Sequence, residues 1–387
     1  MTQPRPAVRQ MIDRLIAFDT TSELSNLALI DWVEGYFAEH GVPTRRTFDA
    51  SGAKANLFAT VGPEIAGGIV LSGHSDVVPV AGQDWDSDPF QVVERDGRLY
   101  GRGTSDMKSF LAAGLALVPE MLSRTLSKPI HFAISYDEEL GCIGVGGLIA
   151  DLKANLPPPA LVLIGEPTDL KIVNAHKGVN GFQTAVTGRP AHSSQPQRGA
   201  SAIVAAARLI SFIDEMAREH KAAPPADTRF EPPYTSFQVG EIEGGTALNI
   251  IPAHCTFKWE FRAVPGDDIP AILARFERFA QETVLPELRE VAPEANIVTE
   301  SLAAVTPLAP EAGGAAEQLL RLLTGQNATY AVAFGTEGGL FQEAGFSTVV
   351  CGPGSIDQAH QPNEFIEISQ VVACETLLRK IIDWAAA

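Results

Sequence analysis

His74 and Asp76 close the apolar run "GGIVLSGHSD", Asp137, Glu138 and Glu139 follow "IHFAISY", Glu166 follows "LVLIG", and His360 lies in the loop after "STVVCG". Asp106 stands at the mouth of a long apolar stretch. Two imidazoles and three carboxylates of this kind suit two divalent ions. Neutral imidazole and carboxylate oxygen bind zinc-like ions at roughly 2.0 to 2.2 Å and leave a position open for water. Two such ions roughly 3.5 to 4 Å apart polarise a carbonyl and supply a nucleophile together. The adjacent Glu138 and Glu139 can divide the work, one binding metal and the other moving protons. Asp76, two residues from His74, can hold the second nitrogen of that imidazole.

Taken singly, each group also has an ordinary reading. A histidine after a strand is often a hydrogen-bonded core or surface residue, "DEEL" reads as a solvated turn, and "GEPT" as a helix cap. Their joint placement at successive strand ends puts the metal site on an equal footing with the ordinary readings, because the carboxyl ends of strands form the ligand crevice of open α/β sheets.

The elements that must position these groups are legible as hydrophobic periodicity. Val8, Met11, Ile12, Leu15 and Ile16 repeat at helical spacing, as do Leu27, Ile30, Val33 and Phe37. The runs 67–74, 130–136, 161–165 and 347–352 read as buried strands, with helices predicted over 105–121 and 368–385. This alternation predicts an α/β layer with a mostly parallel central sheet. Between about 177 and 301 the pattern changes. "HCTFKWEFR" alternates strictly, with Cys255, Phe257, Trp259 and Phe261 on one face. That is a half-exposed antiparallel strand, and similar strands are expected at 181–187 and 235–242, with helices at about 199–217 and 267–284. The expected organisation is a catalytic domain in two parts, 1–176 and 302–387, interrupted by an α+β domain at 177–301. The proline-rich "KAAPPADTRFEPPY" at 221–234 reads as an irregular connection.

Composition narrows the function classes. The 387 residues exceed one ordinary domain, and an apolar fraction of 45% fits a soluble globular protein. A formal charge of -18 with no basic stripe disfavours nucleic acid. "MTQPRPAVRQ" lacks an apolar signal core, and the longest apolar runs fall short of the roughly 20 residues a membrane helix needs. The expectation is a cytoplasmic protein without a membrane partner. Cys142, Cys255, Cys351 and Cys374 show no paired spacing, so they read as reduced core residues.

The stretches "SGHSDVVP", "GRGTSDMKSFLAAGLALV", "DEELGCIGVGGL", "IGEPT" and "AHQPNEF" together resemble the M20 family of dinuclear zinc peptidases and deacylases, in order across nearly the whole chain. "HKGVNGF", "GRPAHSSQP", "GGTALNIIP" and "GPGSIDQAHQPNEF" are most similar to its acetylornithine-deacetylating branch. The resemblance implies a zinc-peptidase catalytic domain with an inserted lid and dimerisation domain, and two divalent ions, zinc or else cobalt. It makes Asp106 the bridging ligand, His74 and Glu166 ligands of one ion, Glu139 and His360 ligands of the other, and Glu138 the general base. A cis peptide after Asp106 is common in the family. His192 resembles a lid histidine that reaches into the neighbouring subunit of a homodimer to steady the oxyanion; a plain turn histidine is its alternative. Asn249 and Arg262 resemble lid positions holding a substrate α-carboxylate, although Arg262 equally suits a cross-strand ion pair. Glu337 and Ser355 match the pattern near the site, Glu337 facing a substrate ammonium, and both also suit plain loop formation. The implied activity is hydrolysis of N2-acetylornithine to ornithine and acetate in arginine biosynthesis. Another M20 amidohydrolase is the alternative, one that desuccinylates succinyl-diaminopimelate, deacylates other N-acyl amino acids or cleaves dipeptides. A non-catalytic scaffold is opposed by the intact Glu138.

Overall fold

The four apolar runs become adjacent strands of one sheet, in the order Ile130–Ser135, Ile69–His74, Leu161–Pro167, Ser347–Gly352, all mutually parallel. An antiparallel strand flanks this group on each side, Ala55–Val61 and Val173–His176, with Thr44–Phe48 running antiparallel to the former and Tyr330–Val332 lying beyond the latter. This computed structural model describes residues 3–387. Met1 and Thr2, the first two residues of "MTQPRPAVRQ", lie outside the described residues. The parallel strands are buried along their whole length apart from Ser347, which continuous Val, Ile and Leu runs require of strands covered on both faces.

Chain order and sheet order differ in a consequential way. The strand Ile69–His74 comes first in sequence, its successor Ile130–Ser135 lies on one side, and the next, Leu161–Pro167, on the other. The chain therefore reverses direction around Ile69–His74. Such a switch point opens a crevice at the carboxyl ends of the strands.

The predicted helix over 105–121 forms as two pieces, Lys108–Ala116 and Val118–Leu122. Pro119 lacks the N–H that would continue the first piece, so the helix stops and restarts around Leu117. Residues Lys108 to Leu115 are all buried, packed against helices Pro6–Ile16 and Ile368–Ala386. The approach to the sheet is close. A Cβ on Gly165 would lie 2.0 Å from the Phe110 ring, and one on Gly73 would lie 2.6 Å from Met107 Cε. These two glycines let the helix sit low enough to bring Asp106 over the strand ends.

The chain divides into two compact units. The larger runs to Ala175 and resumes at Leu308–Ala331 and Thr336–Ala387; the smaller comprises His176–Pro307 with Val332–Gly335. The smaller unit is a four-stranded antiparallel sheet, Ser236–Gly244, His254–Ala263, Gly178–Thr187, Asn296–Val305 in spatial order. Cys255, Phe257, Trp259 and Phe261 are buried, as their alternation requires, and pack with Leu209 and Ile213 of helix Ala202–Ala222 and with Phe276 of helix Ile269–Phe279. Burying each large apolar side chain stabilises by about 1.5–3 kcal/mol. The proline-rich connection is irregular from Ala223 onward. All four cysteines are free and buried. No helix among the described residues is long and apolar enough to cross a membrane.

Candidate metal centre

The four parallel strands end at the same edge of the sheet, so the polar residues at their carboxyl ends meet there. His74 is the last residue of its strand, paired in register with Ser135, and Asp137, Glu138 and Glu139 come shortly after that partner strand. Glu166 lies near the end of the third strand, and Gly352 ends the fourth, leading to His360.

The side chains converge. His74 Nε2 lies 3.0 Å from Asp106 Oδ1 and 3.6 Å from Glu166 Oε1. His360 Nε2 lies 3.3 Å from the other Asp106 oxygen and 3.1 Å from Glu139 Oε2. Asp106 thus stands between the two imidazoles, one carboxylate oxygen toward each. The donor atoms of His74, Asp106 and Glu139 all lie within 4.8 Å of one another, and so do those of His74, Glu138 and Glu166. The Asp106–Met107 peptide bond is cis.

Asp76 holds the second nitrogen of His74, as expected, and does more besides. The contact to His74 Nδ1 comes chiefly from the Asp76 backbone carbonyl, at 2.9 Å, with its carboxylate at 3.5 Å. The carboxylate instead accepts from the backbone N–H of Glu138 at 3.2 Å, that of Glu139 at 3.3 Å, and Ser22 Oγ at 2.7 Å. Asp76 therefore holds both parts of the site, the ring through its carbonyl and the acidic pair through its side chain. With Nδ1–H donating to that carbonyl, His74 keeps an Nε2 lone pair for a metal.

The electrostatics of the cluster show a deficit of positive charge. Burial, reinforced by Asp106, pushes Glu139 and Glu166 above the usual carboxylate range. Burial raises Glu138 well above it too, with Glu139 and Asp106 adding to the effect against the pull of His74. Asp106 moves the other way: against its own burial, the imidazoles of His360 and His74 hold it low. Contacts to Asp106 and Glu139 raise His360 to about 10. Crowded carboxylates that raise one another's proton affinity are relieved by a divalent cation, and the donor set, two imidazoles with oxygen ligands, fits zinc-like ions.

Other expected site residues fall into two groups. Glu337 lies in the larger unit but is only 1% exposed, with Ser72 Oγ donating to it at 3.2 Å, and burial raises it to about 7. The Ser355 carbonyl accepts from Ser105 Oγ at 3.0 Å, beside Asp106. His192, Asn249 and Arg262 belong to the smaller unit. His192 pairs in register with Ile250, and Ser193 N–H donates to the Asn249 carbonyl at 3.0 Å, so His192 and Asn249 are neighbours on an exposed rim. Arg262 is bound bidentately by Glu260, two residues earlier on the same strand face, at 3.0 and 2.9 Å.

Several residues of the site had no role in the sequence reading. Cys142 Sγ donates to Glu138 Oε1 at 3.2 Å. Lys54 pairs with Asp137 at 2.5 Å, holding the left-handed turn that begins the acidic run. Arg102 and Glu364 form a buried ion pair at 2.6 Å. The last two lie within the motifs "GRGTSD" and "AHQPNEF", and an unlike-charged pair flanking Asp106 and His360 is the signal that could have revealed them.

Residues 70–384 match Peptidase family M20/M25/M40. The chain is 34% identical over 397 aligned positions to an acetylornithine deacetylase of Myxococcus xanthus, covering 99% of this chain and 98% of that protein. It is 33% identical to the acetylornithine deacetylase of Pasteurella multocida, with 97% of each chain covered. Among solved structures, a tripeptidase from Staphylococcus aureus superposes with a TM-score of 0.75 over 100% of both chains at 19% identity, a likeness of fold.

Proposed function

Because the chain belongs to Peptidase family M20/M25/M40, we propose that it hydrolyses N2-acetylornithine to ornithine and acetate, a step of arginine biosynthesis in the cytoplasm. The enzyme is a metal-dependent amidohydrolase. The observation that carries the reading is the convergence of His74, Asp106, Glu139, Glu166 and His360 around one buried carboxylate, with Glu138 beside them. Full-length kinship with acetylornithine deacetylases supports the choice of substrate.

In this reading His74, Asp106 and Glu166 hold one divalent cation, and Asp106, Glu139 and His360 hold a second. Zinc and cobalt both suit such donors. Bound there, the cations supply Lewis acidity toward the amide carbonyl and toward water. The protein's own residues move the protons. Glu138 takes one from the attacking water as the oxygen adds to the acetyl carbon. It returns that proton to the nitrogen as the C–N bond breaks. A carboxylate whose proton affinity is raised by burial can hold the proton between the two transfers, and the Cys142 thiol orients one of its oxygens.

Substrate recognition extends the proposal to the smaller unit. Arg262 and Asn249 bind the α-carboxylate, for which Arg262 exchanges its contact with Glu260. Glu337 faces the substrate ammonium, and Ser355 lines the site. His192 steadies the oxyanion in the site of a second copy of the chain, within a two-fold dimer.

Acetylornithine, succinyl-diaminopimelate and several dipeptides, assayed with added zinc or cobalt, test the reading. Turnover of acetylornithine well above the others is expected. A preference for succinyl-diaminopimelate or a dipeptide overturns the substrate, and no metal-stimulated hydrolysis of any of them overturns the activity.

A further inference from the structure

His360 differs from the other proposed ligands in standing on an irregular loop, with a left-handed backbone at φ 64 and a half-exposed ring. A non-glycine residue keeps that conformation only when its surroundings impose it. The surroundings are specific. Antiparallel pairing of Tyr100 with Phe365, continued by the Gly101 N–H donating to the Glu364 carbonyl at 2.9 Å, brings the segments that lead to Asp106 and from His360 together. Glu364, 1% exposed, accepts from the backbone N–H of Gly103 at 3.0 Å, Ser105 at 2.8 Å and Asp106 at 3.1 Å. Arg102 binds the same carboxylate at 2.6 Å, and its other nitrogen donates to Gln83 Oε1 at 2.6 Å. The amide nitrogen of Gln83 then donates to the His360 carbonyl at 3.0 Å.

We propose that this chain, Glu364 to Arg102 to Gln83 to the His360 carbonyl, is a positioning device that sets the His360 ring against Asp106 and so tunes affinity for the second cation. The inference rests on the reading that Asp106 and His360 are ligands. Its two ends are unequal. Gln83 grips the backbone of His360, whereas Glu364 grips the backbone of Asp106, whose two oxygens face the two imidazoles. Gln83 is therefore a positioning residue for one ion, and Glu364 for both.

The test is stepwise Zn2+ titration of metal-free protein by calorimetry, comparing wild type with Gln83→Leu, Glu364→Gln and His360→Ala, alongside metal-free melting temperatures. Gln83→Leu leaves the Arg102 and Glu364 charges paired but removes the acceptor of Arg102 Nη2 and Trp85 Nε1, so it should melt somewhat below wild type and still fold. It should bind the first ion unchanged and the second about tenfold or more weakly, the effect of losing an outer partner of a metal ligand. Glu364→Gln should weaken both ions. If His360→Ala binds one ion while Gln83→Leu binds two at wild-type affinity, the positioning inference is overturned and the ligand reading stands. If Gln83→Leu weakens both ions equally, the inference is also overturned, since a general loosening explains that result. If His360→Ala binds two ions as wild type does, the ligand reading fails and takes the inference with it.

Discussion

The larger and smaller units treat their functional side chains in opposite ways. At the strand ends of the larger unit His74 and Asp76 are 1% and 2% exposed, and each has its partners in place. In the smaller unit His192 and Asn249 are exposed, and Arg262 is occupied by a neighbour on its own strand. Apart from His360, which reaches the cluster from a loop with a half-exposed ring, its members are buried at or near the strand ends, and the crowded carboxylates suit cations. The second group stands apart from that cluster, His192 and Asn249 open to solvent and Arg262 tied to Glu260. Chemistry is thus expected to depend on the first region and recognition on the second.

Asp106→Ala gives the sharpest test of that division. It should abolish measurable activity and lower metal content at both positions, because its two oxygens face the two imidazoles; two full ions by metal analysis would refute the shared role. Glu138→Gln should keep both ions yet lower turnover by about 10²–10⁴-fold, the range for a lost general base. Near-normal kcat would refute its assignment.

For the exposed region, Glu138→Ala and His192→Ala should each be nearly inactive alone. Mixing them under chain exchange should restore activity toward roughly a quarter of wild type, since about half the dimers are mixed and each holds one intact site. Failure to recover, with exchange demonstrated, would return His192 to its own subunit or to the role of a turn residue. Arg262→Ala should weaken substrates with a free α-carboxylate by about 1.5–3 kcal/mol and spare analogues amidated there. Equal losses would make the pair with Glu260 purely structural.

The smallest effect concerns stability. Glu166 is pushed upward by burial and by Asp106, so above its unfolded pKa its charge costs the metal-free fold free energy, and stability falls as pH rises from there toward the folded pKa. Glu166→Gln should therefore stabilise the metal-free protein at neutral pH by about 1 kcal/mol, a typical single-substitution size, while weakening the metal-bound form. A lower melting temperature for the metal-free variant would contradict a net cost of the buried charge.

The parallel strands, the alternating strand of Cys255 to Arg262, and the residues at the strand ends were readable from the sequence, because period and run length are local properties that burial enforces. The break at Leu117 was readable in principle from Pro119. What sequence could not supply was partner identity. Asp76 does hold the second nitrogen of His74, chiefly through its carbonyl, and no pattern in the sequence shows that its carboxylate also binds the Glu138 and Glu139 backbone. Arg262 had two open readings, and in the fold it pairs with Glu260 along its strand. Glu364 and Arg102 carry no assignable role in the sequence, and it is the pairing of Tyr100 with Phe365 that buries them together. Residue types and spacing determined which chemistry this chain can perform, because ligands and bases are side-chain properties carried at predictable strand ends. Which oxygen faces which nitrogen depends on backbone segments about 260 residues apart in sequence, such as Asp106 and Glu364, separated by 258, and only tertiary packing brings those together.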